Sequence, residues 1–362
     1  MAYCTSMKAL ILAGGAGTRL RPITYTSAKQ LVPVANRPIL FYGIDALVAA
    51  GITDIGVIVG ETRREVMAAL GDGAQFGCSI TYIPQDSPAG LAHCVLIARD
   101  FLGDDQFVMF LGDNLLEQDL GGFIRSFQDD SRRAAARILL KPVDDPQRFG
   151  IAELDGSGNV IALVEKPEHP PSNLALVGVY LFDQRIHQAV AGIQPSQRGE
   201  LEITDAIQQL IDDGEVVTAE LLTGWWIDTG KLTPLLEANR LILDRLSSRI
   251  DGEVDSQCDV VGEVVIEAGA RVVRSRLRGP LIVGRDTVVI DSFIGPHSAI
   301  GAGCRIERSE VEHSVVMDGS VVLDIDRLED SLIGREAEIT RSKLRPRALR
   351  LMVGDHCQID VE

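Results

Sequence analysis

No apolar run in the 362-residue chain approaches the roughly 20 residues that span a bilayer, so no membrane partner is expected. No secretory leader is expected either. The apolar stretch 9–13 after Lys8 is too short, and Thr18-Arg19-Leu20-Arg21 stands where a cleavage region belongs. Residues before Met7 read as a loose extension. The six cysteines, at 4, 78, 94, 258, 304 and 357, contain no CxxC pair and no Cys/His spacing suited to zinc. In a chain this long that argues against a disulfide scaffold and for a reducing cytoplasm. Basic charge is in deficit. With 35 Lys and Arg against 52 Asp and Glu the net charge is −17, which argues against nucleic acid as a partner.

What is present is an alternation of strand-like and helix-like segments through the first two-thirds. Residues 7–13, 54–59, 79–83 and 106–111 are apolar runs suited to buried parallel strands. Helices are expected at 38–50, at 62–70 after the capping-box spacing Thr62…Glu65, and at 90–101. From Phe149 the rhythm changes. A hairpin is expected from 150–154 and 160–164 about the turn Asp155-Gly156-Ser157-Gly158-Asn159, then a strand at 174–182. Thr204 is expected to cap a helix ending at Asp213, and 232–246 to form an amphipathic helix closing the first domain. The resulting partition is a catalytic domain 1–246, a polar linker 247–262 and a different domain 263–362.

The last hundred residues repeat. Aliphatic anchors at Ile266, Val283, Ile300, Val316, Ile333 and Val353 are separated by 17, 17, 16, 17 and 20 residues. About three hexads per period fit a β-solenoid whose coils cover one another's apolar faces. Segments near 324–330 and 341–351 read as irregular insertions.

The first strand runs into Leu12-Ala13-Gly14-Gly15-Ala16-Gly17-Thr18-Arg19. Glycines there let backbone N–H groups approach a polyphosphate, although a plain turn has comparable standing. The loop lacks a Walker A ending, and no third glycine falls where the dinucleotide fingerprint needs one. Arg19 and Lys29 add cations that suit a triphosphate. Asp113 follows a predicted strand end, where open α/β sheets bind ligands; capping of the next turn is the lesser reading. Asp228 lies in a second strand-end setting, and two such carboxylates suit Mg²⁺. Taken alone, Gln85 reads as a surface amide, the Glu165–Lys166 pair as a solvated couple, and Glu200, Glu202 and Asp205 as loop and cap residues.

Gly14-Gly15-Ala16-Gly17-Thr18-Arg19-Leu20 with Lys29-Gln30-Leu31-Val32-Pro33 resembles the signature of sugar-nucleotide pyrophosphorylases. Within that family the likeness is greatest to long thymidylyltransferases that act on glucose 1-phosphate and carry a β-helix. It continues through Gln85-Asp86-Ser87-Pro88-Ala89-Gly90-Leu91-Ala92, Leu111-Gly112-Asp113-Asn114, Glu165-Lys166-Pro167, Gly199-Glu200-Leu201-Glu202-Ile203-Thr204-Asp205 and Trp226-Ile227-Asp228-Thr229-Gly230. The resemblance implies a Rossmann-like α/β nucleotidyltransferase domain with a mainly parallel sheet, followed by a left-handed parallel β-helix of hexapeptide-type repeats. It implies that Leu12, Gly14, Gly15, Gly17, Gln85, Gly90 and Asp113 bind a nucleoside triphosphate. Asn114, Gly150, Glu165, Lys166, Leu176, Gly178 and Arg198 would hold a sugar 1-phosphate, with solvent exposure the competing reading for Arg198. Mg²⁺ would sit on Asp113 and Asp228, and Arg19, Lys29 and Lys166 would carry the catalysis. Ala89 and Phe149 depart from the acidic residue and the tyrosine associated with the short form.

Two other functions compete with this expectation. One is a sugar-nucleotide sensor without activity, against which Arg19, Lys29, Asp113 and Asp228 argue. The other is a second, acyltransferase activity in the β-helix based on His297, His313 or His356. The expected role of the β-helix is assembly, as a homo-oligomer, or regulation. The base could be that of another nucleoside triphosphate, and the sugar a modified sugar or a cyclitol phosphate.

Overall fold

The computed structural model describes residues 7–15, 17–341, 351 and 353–360. Contacts divide the chain into two compact units, the first strand with residues 40–226, and residues 17–39 with 227 onward.

The first unit is built on β1 (Lys8–Leu12), β2 (Asp54–Val59), β3 (Ser79–Pro84), β4 (Phe107–Leu111), β5 (Ala136–Pro142), β6 (Gly150–Leu154), β7 (Val160–Glu165), β8 (Leu174–Phe182) and β9 (Val217–Leu221). One sheet holds them in the order β7-β6-β8-β4-β1-β2-β3, with β5 pairing β8 and β9 pairing β5. The pairs β1–β2, β1–β4, β2–β3 and β5–β9 are parallel, and β8 is antiparallel to β4, β5 and β6. β1 reads as an unbroken apolar run because both its faces are covered: Leu10 and Ile11 are fully buried. Helices Leu91–Ile97, Ile186–Gly192 and Ile203–Asp212 contribute Val95, Ile186 and Ile207 to the core on one side of the sheet.

Several boundaries differ from the expectation. The 90–101 helix is two pieces, Leu91–Ile97 and Arg99–Leu102, broken at Ala98. Thr62 holds the N-cap position of Arg63–Leu70, yet its side chain makes no capping hydrogen bond. Helix Ile203–Asp212 is preceded by Glu202 at its N-cap, not Thr204, whose hydroxyl donates to Glu165 Oε2 at 3.3 Å. The hairpin turn follows the sequence. Asp155 Oδ1 accepts the N–H groups of Ser157 and Asn159 at 2.8 and 2.9 Å, and Gly158 takes the positive φ of 81°.

The second unit contains the left-handed parallel β-helix. Ile250, Ile266, Val283, Ile300, Val316 and Ile333 stand in register down one of its three parallel sheets, so five of the six anchors are borne out. Val353 lies in no strand, and the expected insertion before it falls largely outside the described residues. Each coil turns aliphatic side chains inward, as Ile266, Val272 and Leu277 do, and the core column is nearly free of solvent. Two expectations are corrected. Strands Arg249–Ile250, Glu253–Val254 and Asp259–Val261 pair with the next coil, so 247–262 is the first coil and not a linker. The segment 324–330 is no insertion, because Leu328–Glu329 pairs in register with Val311–Glu312.

Helix Leu232–Leu243 ends three residues early and groups with the β-helix. The reason is visible at Asn239, which is 1% exposed. Its Oδ1 accepts the N–H of Ala35 at 2.8 Å and its Nδ2 donates to the carbonyl of His297 at 2.9 Å. Beside it, Asn36 Nδ2 donates to the carbonyl of Ile300 at 2.6 Å. Asn239→Leu leaves a buried N–H and a buried C=O unpaired, and should lower unfolding stability by about 1–3 kcal/mol. A urea titration reads this as a lower midpoint at unchanged slope.

Candidate active site

Four parallel strands of the first unit end on one side of the sheet. Past β1 come Gly14 and Gly15, past β2 Gly60, past β3 Gln85, and past β4 Gly112 and Asp113. The chain is pinned there by Ala13 N–H to the Ile58 carbonyl at 3.0 Å, Gln85 N–H to Val59 at 2.8 Å and Gly112 N–H to Leu12 at 3.0 Å. Leu12 is therefore a buried backbone anchor. A β-carbon on Gly60 would sit 2.6 Å from the Gly14 carbonyl, so this approach of the two loops needs glycine at 60. Asp113 Oδ1 accepts from Asn114 Nδ2 at 3.1 Å, and the oxygen of Asn114 accepts from Trp226 Nε1 at 2.6 Å.

The candidate sugar residues converge on the antiparallel half. Gly150 pairs with Glu165 across the hairpin, and its missing β-carbon would meet Thr204 at 2.7 Å and Glu165 Oε2 at 3.1 Å. Leu176 lies 3.5 Å from the same point. Gly178, at φ 82°, sits beside Leu111 and the amide of Asn114, where a β-carbon would come within 2.8 and 3.0 Å. Phe149 packs on Trp226 with ring centroids 5.2 Å apart. Lys166 takes a left-handed backbone (φ 41°), its N–H bonded to the Phe149 carbonyl at 3.0 Å. Strain of this kind is worth about 1–3 kcal/mol and clusters at functional sites.

Charge at this end is paired. Glu165 Oε1 lies 3.1 Å from Lys166 Nζ and 3.2 Å from Arg198 Nη1. Arg198 also meets Glu200 at 3.0 Å and Glu202 at 3.4 Å. Its guanidinium thus ties three carboxylates together. Glu202 and Asp205 are held above the usual carboxylate range, first by burial and then by the neighbouring Glu165 charge, against which Ser196 pulls Glu202 down by donating at 2.9 Å. Glu202 holds the N-cap position and Asp205 lies in the first turn of helix Ile203–Asp212, as the loop and cap reading expects, while the pairing of Glu200 and Glu202 with Arg198 is an addition that the sequence does not show.

Gly90, expected to give a nucleotide access to backbone, also has a packing use. At φ 103° it lets the chain pass Leu201, whose carbonyl would lie 2.3 Å from an added β-carbon. Leu201 then exchanges hydrogen bonds with Ala89 and Ala92 at 2.8 and 3.0 Å.

In the second unit, Gly17 adopts φ 61° and leaves room for Lys29, whose Cβ would be 2.7 Å from an added β-carbon. Thr24 Oγ1 donates to the Gly17 carbonyl at 2.7 Å. Arg19 is exposed on the short turn Thr18–Leu20. Lys29 is nearly buried, with Nζ 3.8 Å from Asp228 Oδ1, and that oxygen accepts the Gly230 N–H at 3.1 Å. Among the described residues no three carboxylate, imidazole or thiolate groups form a self-contained metal site. Asp113 and Asp228 still offer the hard oxygen donors Mg²⁺ selects, and Mg²⁺ commonly takes one or two carboxylates plus substrate phosphates. The donor chemistry fits.

An α/β sheet with its candidate residues at strand ends, continued by a β-helix, defines a nucleotidyltransferase of the sugar-nucleotide type. Residues 8–245 match the family model described as Nucleotidyl transferase, and the chain belongs to that family. It is 54% identical over 356 residues to glucose-1-phosphate thymidylyltransferase of Streptomyces antibioticus, covering 98% of this chain and 100% of that one. It is 45% identical to the low-salt glycan biosynthesis nucleotidyltransferase Agl11 of Haloferax volcanii, over 98% of this chain and 99% of the relative. Among solved structures, a putative glucose-1-phosphate thymidylyltransferase from Bacillus anthracis in complex with a sucrose superposes with TM-score 0.62 at 38% identity, covering 67% of this chain and 98% of that one. No helix among the described residues is long and apolar enough to cross a membrane.

Gly90→Ala and Gly178→Ala each force a β-carbon into occupied space at a positive φ. Each should cost more than about 1 kcal/mol of stability, with a lowered thermal midpoint as the readout. Gly156→Ala, where nothing lies within 4 Å, is the matched control and should change it little.

Proposed function

We propose that the protein transfers a thymidylyl group from dTTP to glucose 1-phosphate, forming dTDP-glucose and releasing pyrophosphate. The full-length identity to the Streptomyces antibioticus enzyme is the observation that carries this reading. In the proposed reaction an oxygen of the sugar phosphate forms a bond to the α-phosphorus of dTTP, and the bond from that phosphorus to the β-phosphate bridging oxygen breaks. The nucleophile is already anionic, so no dedicated base is needed, and catalysis is positioning with charge stabilisation.

The residue roles belong to the same proposal. Leu12, Gly14, Gly15 and Gly17 present backbone to the phosphates, Gln85 reads the base, and Gly90 keeps that wall in place. Glu165 accepts from sugar hydroxyls while Gly150, Leu176, Gly178 and Asn114 shape the sugar pocket. Lys166 orients the attacking phosphate, and Arg19 and Lys29 stabilise the leaving pyrophosphate. Arg198 contributes by holding Glu165, which its ion pairs support better than a direct phosphate contact. Asp113 and Asp228 would hold Mg²⁺, which when bound neutralises phosphate oxygens along the reaction path. A cytoplasmic location accords with the free thiols of Cys78, Cys94, Cys258, Cys304 and Cys357. A homo-oligomer accords with the exposed Ile250 and Val261 on the first coil.

Losing one preorganised charge should cost about 3–4 kcal/mol in transition-state stabilisation. Asp113→Asn and Lys166→Ala are therefore expected to lower kcat/KM by about 10²–10³ in a pyrophosphate-release assay with dTTP and glucose 1-phosphate. Turnover near wild type with saturating Mg²⁺ contradicts these roles. A panel of nucleoside triphosphates against several sugar 1-phosphates should give its highest kcat/KM for dTTP with glucose 1-phosphate.

A further inference from the structure

Contacts place the segment 17–39, which carries Gly17, Arg19 and Lys29, in the same compact unit as the β-helix. Its seat there is a hairpin, Pro33–Val34 paired with Arg37–Pro38, that turns at Ala35 and Asn36 with φ of 48° and 60°. Positive φ at both central positions suits asparagine and strains alanine. Such strain persists where neighbours fix the backbone. Here the Ala35 N–H donates to Asn239 Oδ1 at 2.8 Å, and Asn36 Nδ2 donates to the Ile300 carbonyl at 2.6 Å. Asn239 Nδ2 in turn donates to the His297 carbonyl at 2.9 Å. The hairpin tip is thus bonded to both ends of the β-helix strand Ser298–Ile300, through Asn239 at one end and directly at the other.

The partners fix the direction of both amides. A backbone carbonyl only accepts and a backbone N–H only donates, so nitrogen must face Ile300 and His297, and oxygen must face Ala35. From the tip, backbone bonds lead back to Lys29. The Ile39 N–H donates to the Val32 carbonyl and the Val32 N–H donates to the Lys29 carbonyl, both at 3.2 Å. Lys29 is buried, its stem packs into the space that Gly17 leaves, and its Nζ lies 3.8 Å from Asp228 Oδ1. On the other side of Lys29 in the chain, Ile23 meets a later coil, with Cδ1 3.1 Å from where a β-carbon on Gly334 would stand. The segment is therefore seated on two coils of the β-helix, with Lys29 between the two seats.

We propose that Asn36 is a positioning residue that makes the β-helix wall part of the catalytic apparatus, by fixing the Lys29 ammonium through the hairpin 33–38. The inference rests on the reading that Lys29 stabilises the leaving pyrophosphate, and adds what holds Lys29 in place. Charge stabilisation of this kind depends on geometry, and a misplacement of about 1 Å can cost up to about a hundredfold in rate. The Asn36 bond is at the same time dispensable for folding. Asn36 is half-buried, and without its amide the Ile300 carbonyl still accepts the Gly284 N–H at 2.7 Å. No buried group is orphaned, in contrast with the loss of Asn239. Asn36 thus serves position rather than stability.

Asn36→Gly keeps the positive φ and removes only the amide, while Asn36→Asp keeps the shape and the turn preference without the donor. Each is measured in the full-length protein, alone and combined with Lys29→Met, by pyrophosphate release from dTTP and glucose 1-phosphate. Both should lower kcat by about tenfold with KM for dTTP within about threefold, and Asn36→Gly should leave the urea midpoint unchanged. In the Lys29→Met background the same substitutions should change kcat by less than about twofold, because no ammonium remains to be positioned. A merely structural Asn36 gives equal factors in both backgrounds, or a fall in the midpoint that accounts for the lost activity, and either result overturns the proposal. Turnover at the wild-type rate by Asn36→Gly or by Lys29→Met overturns it too. A wild type that releases no pyrophosphate from any pair of substrates sinks the proposed reaction instead. Amide hydrogen exchange then decides the tether by itself: peptides covering 28–39 should exchange at least about tenfold faster in Asn36→Gly, and unchanged exchange overturns it.

Discussion

The parallel register of four strands is the constraint on which the first unit depends. Because β3, β2, β1 and β4 all run one way, their carboxyl ends, and every residue that follows them, emerge on one edge. Glycine, amide and carboxylate come from sequence positions as far apart as 14 and 113, yet each is delivered by the same geometric rule. The backbone bonds of Ala13, Gln85 and Gly112 then hold the loops at that edge close to neighbouring strands. Substituting side chains there changes chemistry. Substituting Gly60 changes the approach of its loop to the Gly14 carbonyl, and so acts on the edge.

The antiparallel half answers a different need. In the proposed site a sugar ring requires a wall, which β6, β7 and β8 would supply, with glycines at 150 and 178 where a side chain from a neighbouring element enters. Thr204, Glu165, Leu111 and Asn114 occupy the volumes those glycines vacate. In the second unit Asn239 plays the corresponding part, since one buried amide satisfies backbone groups from a loop and from a β-helix turn. A helix that looks from its amphipathic pattern like the end of one domain thereby gains hydrogen bonds to the other, beside the burial of Leu235, Leu236 and Leu243.

How much of this was legible in the sequence follows the range of the forces involved. The strands β1, β2, β4, β6 and β8 declare themselves by local hydrophobicity, and the solenoid by its 17-residue spacing, because each is a short-range pattern repeated. The strands 136–142 and 217–221 carry no such punctuation and went unread. The first coil was taken for a linker because its strands Arg249–Ile250 and Glu253–Val254 are only two residues long and largely exposed, so their pairing with the second coil leaves almost no apolar signature. The motif residues are findable from glycine and charge patterns, but the contacts of Gln85 with His93 and Cys94 are not, since they form only where the loop after β3 brings the amide against residues eight and nine positions further along the chain. Gly90 shows the same limit. Its close approach to Leu201 is likewise made by a segment more than a hundred residues away.

A protein with net charge −17 that handles phosphates faces repulsion at long range and must resolve it locally. Its candidate cations are held beside carboxylates: Lys29 by Asp228 at 3.8 Å, Lys166 by Glu165 at 3.1 Å, and Arg198 by three acids within 3.4 Å. Each pair keeps a positive group in place at little net charge, weakly where Lys166 and Arg198 are exposed and water screens the attraction, more firmly at the nearly buried Lys29. An arriving phosphate then competes with a carboxylate for its cation, which weakens ground-state binding. The competition eases where the carboxylate finds another partner, a divalent ion for Asp228 or sugar hydroxyls for Glu165. On the proposed roles, metal and sugar would thus release Lys29 and Lys166 toward phosphate only when the full set of ligands is present. Substrate repulsion and ordered assembly then have the same physical origin.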